Sequence, residues 1–390
     1  MFSALKFKIY FIHSFFPWIL SSYINNKKSF VLQVLTSNKN CKLRIKNYTL
    51  KINSITSNYK ILLGLLKILR FSMLFEINKN GLMNITFDNI SFFQIDLDKL
   101  SITDQKLILL LDDAITYGLT VIPQDNKSSY FLDNRCIFVN TQSSPPHSNL
   151  DNEIIIETHN KVNFLLKYYN YTIIETFYNN IHEISTLTDF QNKIVFDVGA
   201  SIGETALYFS NKGAEVYAIE IDDRNFIILS EHLKINPHLS KSIHPIHAAL
   251  SHDGEIDYYS DPEHIMDSTL FGSRFEGYFN KSDRKKIKSY SIDGLMKLNN
   301  LKTIDFLKID CKGCEFTLTN KDLENVQNLK IEYMPIDPSH DISNLIKLIE
   351  NSNFQLRLFQ HEVDTRKSFK KGGNILATKT YFPTSQKNKI

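Results

Sequence analysis

The stretch KIDCKGCEF, residues 308–316, holds four side chains that are able to do chemistry. Asp310 and Glu315 offer carboxylates, and Cys311 and Cys314 form a Cys-x-x-Cys pair. A carboxylate can position an acceptor hydroxyl or take its proton as a general base. A Cys-x-x-Cys pair can be a redox centre or half of a zinc site. The surrounding elements decide which of these chemistries applies.

The cysteine pair lacks the companions that a metal site needs. A structural zinc ion takes four ligands, and the remaining thiols, Cys41 and Cys136, are far away in the sequence. A thioredoxin-like redox role would place the pair at the start of a helix in a different setting. We therefore expect no metal, and we expect Cys311 and Cys314 to pack as small apolar residues.

A second group, DVGASIGETALYF at 197–209, contains glycines that suit a ligand-binding turn. Gly199 and Gly203 permit a tight turn and the close approach of a ligand to the backbone. Ser201 stands where a dinucleotide fingerprint has a glycine, so the match to that fingerprint is poor. The same letters fit the turn of serine hydrolases, but no matching acid and histidine are evident. Glu220 ends the next strand, where an acid commonly accepts ribose hydroxyls.

Strand and helix patterns alternate from residue 193 onward and place both groups at strand ends. The apolar segments KIVFDVG, EVYAIEID, IHPIHAAL, TIDFLKID and NLKIEYM read as strands. This alternation predicts an α/β fold with a doubly wound, mostly parallel sheet, whose ligands bind at the carboxyl ends of its strands. FQLRLFQHE and GGNILATKTY predict a closing antiparallel hairpin, and the basic SDRKKIK, residues 282–288, predicts a solvated turn.

The first part of the chain predicts a separate α+β region of unknown role, residues 1–150, followed by a second domain, residues 151–390. The boundary is placed in the polar, proline-containing stretch 140–152. Lys6 and Lys8 interrupt the apolar N-terminus, which favours a packed helix over a signal peptide or an anchor. Contact of this segment with a membrane surface stays open but is not favoured.

The composition narrows the class of partner. The chain has 45 Lys and Arg against 42 Asp and Glu, a net charge of +3, which is too small to indicate nucleic acid. Four cysteines in 390 residues do not form a disulfide framework, so a reducing cytoplasm is expected.

Five motifs in order resemble the FkbM-type methyltransferases, class I enzymes that use S-adenosylmethionine. The motifs are DVGASIGETALYF, VYAIEIDDRNFIILSEHLKIN, HAALSHDGEIDYY, IDFLKIDCKGCEF and LKIEYM. The whole match spans roughly residues 192–380, about half of the chain. The resemblance implies a Rossmann-like, seven-stranded sheet. It also implies methyl transfer to an oxygen of a sugar, lipid-linked or other small acceptor.

The resemblance also implies a set of cofactor-binding residues. Glu220 would hold the ribose hydroxyls, with Ile221 and Asp222 beside it. Ala248, Ala249 and Leu250 would lie at the adenine. The methionine part would be surrounded by Asp197, Gly199, Ala200, Ser201, Gly203, Glu204 and Thr205.

On the acceptor side, Asp310 matches the family's aspartate and is the candidate catalytic residue. Lys312 stands where the family usually has glutamate, and this charge reversal puts the acceptor contacts in doubt. Ser268 and Arg274 are further candidate acceptor contacts. Two alternatives stay open: a methyltransferase-like protein that binds a ligand without turnover, and a nicotinamide-dependent oxidoreductase.

Overall fold

The structure is a computed structural model that describes most of the chain between Ile24 and Thr380. The described ranges are 24–36, 39–54, 59–71, 74–86, 92–97, 99–123, 135–140, 153–179, 181–182, 187–260, 270, 284–334, 340–359 and 372–380. The apolar N-terminal segment, for which a packed helix was expected, lies outside these residues.

The chain divides into two compact units, residues 1–178 and 179–390. This division lies after the boundary that the loop composition suggested near residue 150. The reason is strand pairing: Ile155–Glu157 pairs with Cys136–Asn140 in an antiparallel ladder, and Asn163–Leu165 pairs with Ile155–Glu157 in turn. The residues just after the polar stretch therefore complete a sheet of the first unit.

The first unit is a mixture of helices and small sheets. Its elements are α1 Lys27–Thr36, β1 Lys39–Ile45, β2 Tyr48–Ser54, α2 Tyr59–Phe71, β3 Leu74–Ile77, β4 Leu82–Thr86, β5 Phe92–Asp96, α3 Ile102–Tyr117, β6 Thr120–Pro123, β7 Cys136–Asn140, β8 Ile155–Glu157, β9 Asn163–Leu165 and α4 Thr172–Tyr178. Within the described residues, every helix is too short or too polar to cross a membrane.

Local signals explain where α3 begins and ends. Ser101 accepts a hydrogen bond from the backbone N–H of Asp104, and the Asp104 carboxylate accepts one from the N–H of Ser101. This capping box satisfies N–H groups that have no partner within the helix. Gly118 ends the helix in the left-handed conformation, at φ 64°, as glycine commonly does.

The second unit alternates strands and helices. Its elements are β10 Ile194–Val198, α5 Glu204–Asn211, β11 Glu215–Glu220, α6 Asp223–Lys234, β12 Ile243–His247, β13 Ala249–Leu250, β14 Gly254–Tyr259, β15 Arg284–Tyr290, α7 Ile292–Leu298, β16 Ile304–Ile309, α8 Asn320–Leu323, β17 Val326–Tyr333, α9 Ile342–Asn351, β18 Phe354–Phe359 and β19 Gly373–Lys379.

Seven of these strands form one mixed sheet in the order β12-β11-β10-β16-β17-β19-β18. The first five pair in parallel. β19 runs antiparallel to both β17 and β18, so the sheet closes with the antiparallel pair that the sequence predicts. β10 and β16 lie side by side at the centre of this sheet. The order of the strands along the chain reverses between them. Their carboxyl ends are where ligands bind in sheets of this kind.

A second, three-stranded sheet was not expected from the sequence. Its order is β13-β15-β14. The prediction of a solvated turn for the basic SDRKKIK segment is wrong for its described residues, 284–288, because Arg284–Ser289 pairs antiparallel with Gly254–Tyr259. The single strand expected from IHPIHAAL also divides, since the large sheet keeps Ile243–His247 and Ala249–Leu250 turns to pair with β15.

The loops after β10 and β16 pack directly against each other. The backbone N–H of Asp310 donates to the carbonyl of Val198 at 2.9 Å. A Cβ atom added to Gly199 would lie 2.0 Å from the carbonyl oxygen of Asp310, and Gly199 has φ +75°. The glycine therefore serves the contact between two loops, in addition to any ligand.

We expect Gly199→Ala to lower the free energy of unfolding by about 2–4 kcal/mol, through the clash and the left-handed backbone. Gly254→Ala is the control, because Gly254 also has a positive φ, +148°, but a Cβ there meets nothing within 4 Å. Urea denaturation of both variants measures the difference. Equal losses would contradict the close loop contact.

Candidate functional site

The turn after β10 is fixed by backbone bonds to the end of β11. The N–H groups of Gly199 and Ala200 both donate to the carbonyl of Ile219, at 2.9 and 3.0 Å. The next N–H, that of Ser201, donates to Glu220 Oε2 at 2.7 Å. Ser201 adopts φ +50°, a conformation that is costly for a residue with a side chain. Three successive N–H groups thus hold the glycine turn against the strand that carries Glu220.

Glu220 is a buried carboxyl at the carboxyl end of β11. Its side chain is 4% exposed, and Oε1 accepts a bond from the N–H of Asp222 at 2.8 Å. Burial raises the pKa of Glu220 to about 7, against the lowering effect of the bonds from Asp222 and Ser201. The group therefore titrates near neutral pH.

The carboxylate of Asp222 accepts hydrogen bonds from neighbouring groups of the protein. It caps α6 by accepting from the N–H of Arg224 at 2.9 Å. Its other oxygen accepts from the guanidinium of Arg224 and from the hydroxyl of Ser260, at 2.9 and 2.6 Å. The side chain is fully buried. Its structural task is to fix the loop between β11 and α6, in which Ile221 is partly buried.

The three residues expected near the adenine lie at the carboxyl end of β12. Ala248, Ala249 and Leu250 are all buried. The N–H of Ala248 donates to the carbonyl of Glu220 at 3.1 Å. The break in the strand at Ala248 therefore brings this segment next to the buried carboxyl.

The start of α5 brings the remaining expected cofactor residues to the same edge. Gly203 precedes the helix with φ +91°, and a Cβ there would lie 3.1 Å from Leu229 of α6. Glu204 and Thr205 form the first turn and are both buried.

Lys308 is a site residue that the sequence analysis missed. Its ammonium lies 2.9 Å from Asp197 Oδ1 and donates to the carbonyl of Gly199 at 2.9 Å. Both side chains are almost completely buried. Burial alone lowers the pKa of Lys308, but the carboxylates of Asp197 and Asp310 outweigh this and raise it. The available signal was a lysine inside the otherwise apolar run FLKI, residues 306–309.

Asp310 follows β16 and is half-buried. The pairing of Ile309 with Ile331 places it level with Glu332 of β17, a second carboxyl that the sequence analysis did not single out. Burial raises the pKa of Asp310, and the charge of Glu332 adds to this. The ammonium groups of Lys308 and Lys312 oppose the shift. Lys312 therefore places a positive charge beside Asp310.

Glu315 joins the loop after β16 to the end of β17. Oε2 accepts from the N–H of Gly313 at 2.6 Å, and Oε1 accepts from the N–H of Met334 at 3.1 Å. The residue is fully buried. Burial raises the pKa of Glu315 to about 7, although its hydrogen bonds lower it.

The two cysteines of the loop are joined, which corrects the expectation that they pack as separate small residues. Cys311 and Cys314 form a disulfide with a Cα–Cα distance of 5.6 Å. Their sulfurs and a Glu315 oxygen lie within 4.8 Å of one another, as metal ligands would. Sulfurs bonded to each other are not thiolates, however, and the thiolate is the metal-binding form.

The structure thus brings most of the expected residues to the carboxyl ends of β10, β11, β12 and β16. The two weaker acceptor candidates, Ser268 and Arg274, lie outside the described residues. Asp310 is a partly exposed carboxyl beside several buried charged groups, at the carboxyl ends of parallel strands. This arrangement suits the binding and deprotonation of a small ligand.

A family model described as "Methyltransferase FkbM domain" matches residues 197–356. No curated protein matches the chain significantly.

Among solved structures, the chain is similar to Methyltransferase FkbM from Methylobacillus flagellatus KT. That match has 16% identity over 51% of this chain and 46% of that chain, with a TM-score of 0.32. It is also similar to an rRNA methylase from Streptococcus thermophilus, at 11% identity over 49% of this chain and 89% of that chain, with a TM-score of 0.31. Likeness at this level adds nothing to the family match.

We expect Lys308→Met to lower the free energy of unfolding by about 3–5 kcal/mol, because it leaves the Asp197 carboxylate buried without its cation. Lys302→Met, at an exposed position before the same strand, should change it by less than about 0.5 kcal/mol. The double variant Lys308→Met/Asp197→Leu should recover most of the loss, since it removes both charges. Urea denaturation measures all three, and equal losses at Lys308 and Lys302 would contradict the buried pair.

Proposed function

We propose that this chain is an FkbM-type methyltransferase, since the family model matches residues 197–356, and that it transfers a methyl group from S-adenosylmethionine to an oxygen of a sugar, lipid-linked or other small acceptor. The methyltransferase activity and the cofactor follow from the family, whereas the acceptor class is the proposal. The observation that carries the assignment of the site is the glycine turn bound, through Ser201, to the buried carboxyl of Glu220.

The donor and acceptor set at Glu220 fits an adenosine-type ligand. Among the described contacts, Glu220 Oε2 accepts one hydrogen bond, from Ser201, and a carboxylate oxygen has room for two. A ribose hydroxyl would supply the second. Ala248 and Ala249 are small, buried residues at the neighbouring strand end, where the resemblance places the adenine.

Bound S-adenosylmethionine supplies an electrophilic methyl group on a sulfonium with a good leaving group. The task of the chain is to hold the acceptor in line with that methyl group in a site without water. We assign the binding of the methionine part to the turn 199–201 and the start of α5. Asp197 acts through Lys308, which holds the carbonyl of Gly199 in place.

We assign to Asp310 the positioning of the acceptor hydroxyl and the removal of its proton. A base works best when its pKa is near the working pH, and burial together with Glu332 moves the pKa of Asp310 upward in that direction. The charge of Lys312 opposes this rise in the pKa of Asp310 and favours its carboxylate form. The charge reversal at Lys312 is therefore compatible with a basic Asp310.

The proposal extends to the helices of the second unit, to the role of the first unit and to the cellular setting. The helices between parallel strands are expected to cover both faces of the large sheet, as in a doubly wound fold. We propose that the first unit, residues 1–178, binds the acceptor or another partner, and that the chain acts in the cytoplasm without nucleic acid. The family match supports no nicotinamide-dependent reaction, and the remaining alternative is ligand binding without turnover.

We expect Glu220→Gln to weaken the binding of S-adenosylhomocysteine by about 10- to 150-fold at pH 8.5, because hydrogen bonds to a charged group contribute about 1.5–3 kcal/mol. The wild type should bind more tightly as the pH rises through about 7, since ribose hydroxyls favour the carboxylate and binding then releases a proton. Calorimetric titrations from pH 5.5 to 8.5 measure both effects.

The matched control for that variant is Glu215→Gln, at the exposed start of the same strand. It should keep the wild-type affinity and the wild-type pH dependence. Failure of the folded wild type to bind either S-adenosylmethionine or S-adenosylhomocysteine would contradict the cofactor site.

We expect Asp310→Ala to keep the affinity for S-adenosylhomocysteine within about threefold and to reduce methyl transfer by about 100-fold or more, the usual contribution of a general base. The measurement is the release of S-adenosylhomocysteine in the presence of candidate sugar and lipid-linked acceptors. Full turnover in this variant would remove Asp310 from the reaction. A wild type that binds the cofactor but turns over with none of these acceptors would favour the alternative without turnover.

A further inference from the structure

We propose that Cys311 and Cys314 form a reversible disulfide whose redox state regulates the binding site beside Asp310. This inference rests on the proposed function of that site. It starts from the pair itself: both cysteines stand where the resembling family has small apolar residues, and the structure bonds them to each other. The other two cysteines of the chain, Cys41 and Cys136, are buried in the first unit.

The bond closes a tight turn whose backbone is strained. Lys312 and Gly313, the two residues between the cysteines, have φ +52° and +130°. Glycine adopts such angles readily, whereas a lysine does not. The disulfide therefore holds a conformation that the turn would leave more easily if its ends were separate.

The turn is connected on both sides to the proposed site. On one side, the N–H of Asp310 donates to Val198, and the carbonyl of Asp310 packs against Gly199 of the glycine turn. On the other side, Glu315 Oε2 binds the N–H of Gly313 at 2.6 Å and lies 3.6 Å from the sulfur of Cys311. A change in the turn is thereby passed to the residues that face the cofactor and the acceptor.

The two sulfurs differ in access, which defines the order of the redox step. Cys314 is 2% exposed and belongs to the core of the large sheet, while Cys311 is only partly buried against that core. A thiolate of a dithiol reductant attacks the sulfur of Cys311, and the S–S electron pair goes to the sulfur of Cys314, which takes a proton. The second thiol of the reductant then resolves the mixed disulfide and releases the Cys311 thiol. Two electrons and two protons reach the chain, and the dithiol becomes a disulfide.

The test compares the affinity of S-adenosylhomocysteine for the wild type in two redox states, each verified by thiol labelling. We expect the oxidised form to bind S-adenosylhomocysteine at least about fivefold more tightly than the reduced form. A fivefold effect is the lower end of the usual range for coupled sites. By linkage, bound S-adenosylhomocysteine should shift the midpoint of a dithiol titration by about 20 mV for a fivefold coupling. Amide hydrogen exchange at Gly313 should be faster in the reduced form.

The variants separate the pair from general effects of the reductant. Cys311 is the more exposed of the two cysteines and is therefore the one to change. Cys311→Ser should bind S-adenosylhomocysteine with the affinity of the reduced wild type under both oxidising and reducing conditions. Cys41→Ser should keep the full difference between the two states. If Cys311→Ser fails to fold, the two states of the wild type decide the question by themselves.

Three results would overturn the inference. The first is equal affinity and equal exchange in the two verified states. The second is a pair that stays reduced in oxidised glutathione. The third is uptake of one zinc ion by the reduced protein, lost in Cys311→Ser, which would make the pair and Glu315 a metal site. A wild type that binds no S-adenosylhomocysteine in either state would contradict the cofactor site instead, and hydrogen exchange would still test the switch.

Discussion

The buried ion pair between Lys308 and Asp197 is the interaction on which the rest of the site depends. It joins the two central strands, β10 and β16, at the edge where their loops begin. The ammonium also holds the carbonyl of Gly199, so one cation fixes both the strand end and the turn that follows it. Because removing one partner leaves the other charge buried and unpaired, we expect a change of either residue alone to destabilise the turn.

Further contacts at the carboxyl ends of the central strands connect this ion pair to the neighbouring loops. The glycine turn packs on the carbonyl of Asp310 and binds the end of β11, and through Ser201 it reaches Glu220. Burial of the carboxyls has a chemical consequence, because desolvation disfavours their charged forms. Glu220 and Glu315 have pKa values of about 7, so the protonation of this edge changes within the physiological range of pH.

The loop after β16 combines backbone strain with a covalent link. Lys312 lies in a left-handed conformation between two bonded cysteines, directly after the aspartate assigned to the acceptor. The same lysine lowers the pKa of Asp310. One short loop therefore sets both the backbone geometry and the charge beside Asp310, the proposed acceptor residue, and it is the part of the site in which this chain departs from the family that it resembles.

The sequence by itself determined the large parallel sheet, its closing antiparallel pair and the glycine turn followed by Glu220, because apolar runs and turn residues are local signals. It also indicated the family, through motifs in a fixed order. Only the tertiary structure decided that β16 lies between β10 and β17, and hence that Lys308 meets Asp197 and that Asp310 lies level with Glu332. The same holds for Asp222, whose carboxylate binds Ser260, for the basic segment 284–290, which is a strand, and for the joined cysteines. Each of these depends on contacts between residues far apart in the chain or on the backbone angles of a turn, which composition and periodicity do not record.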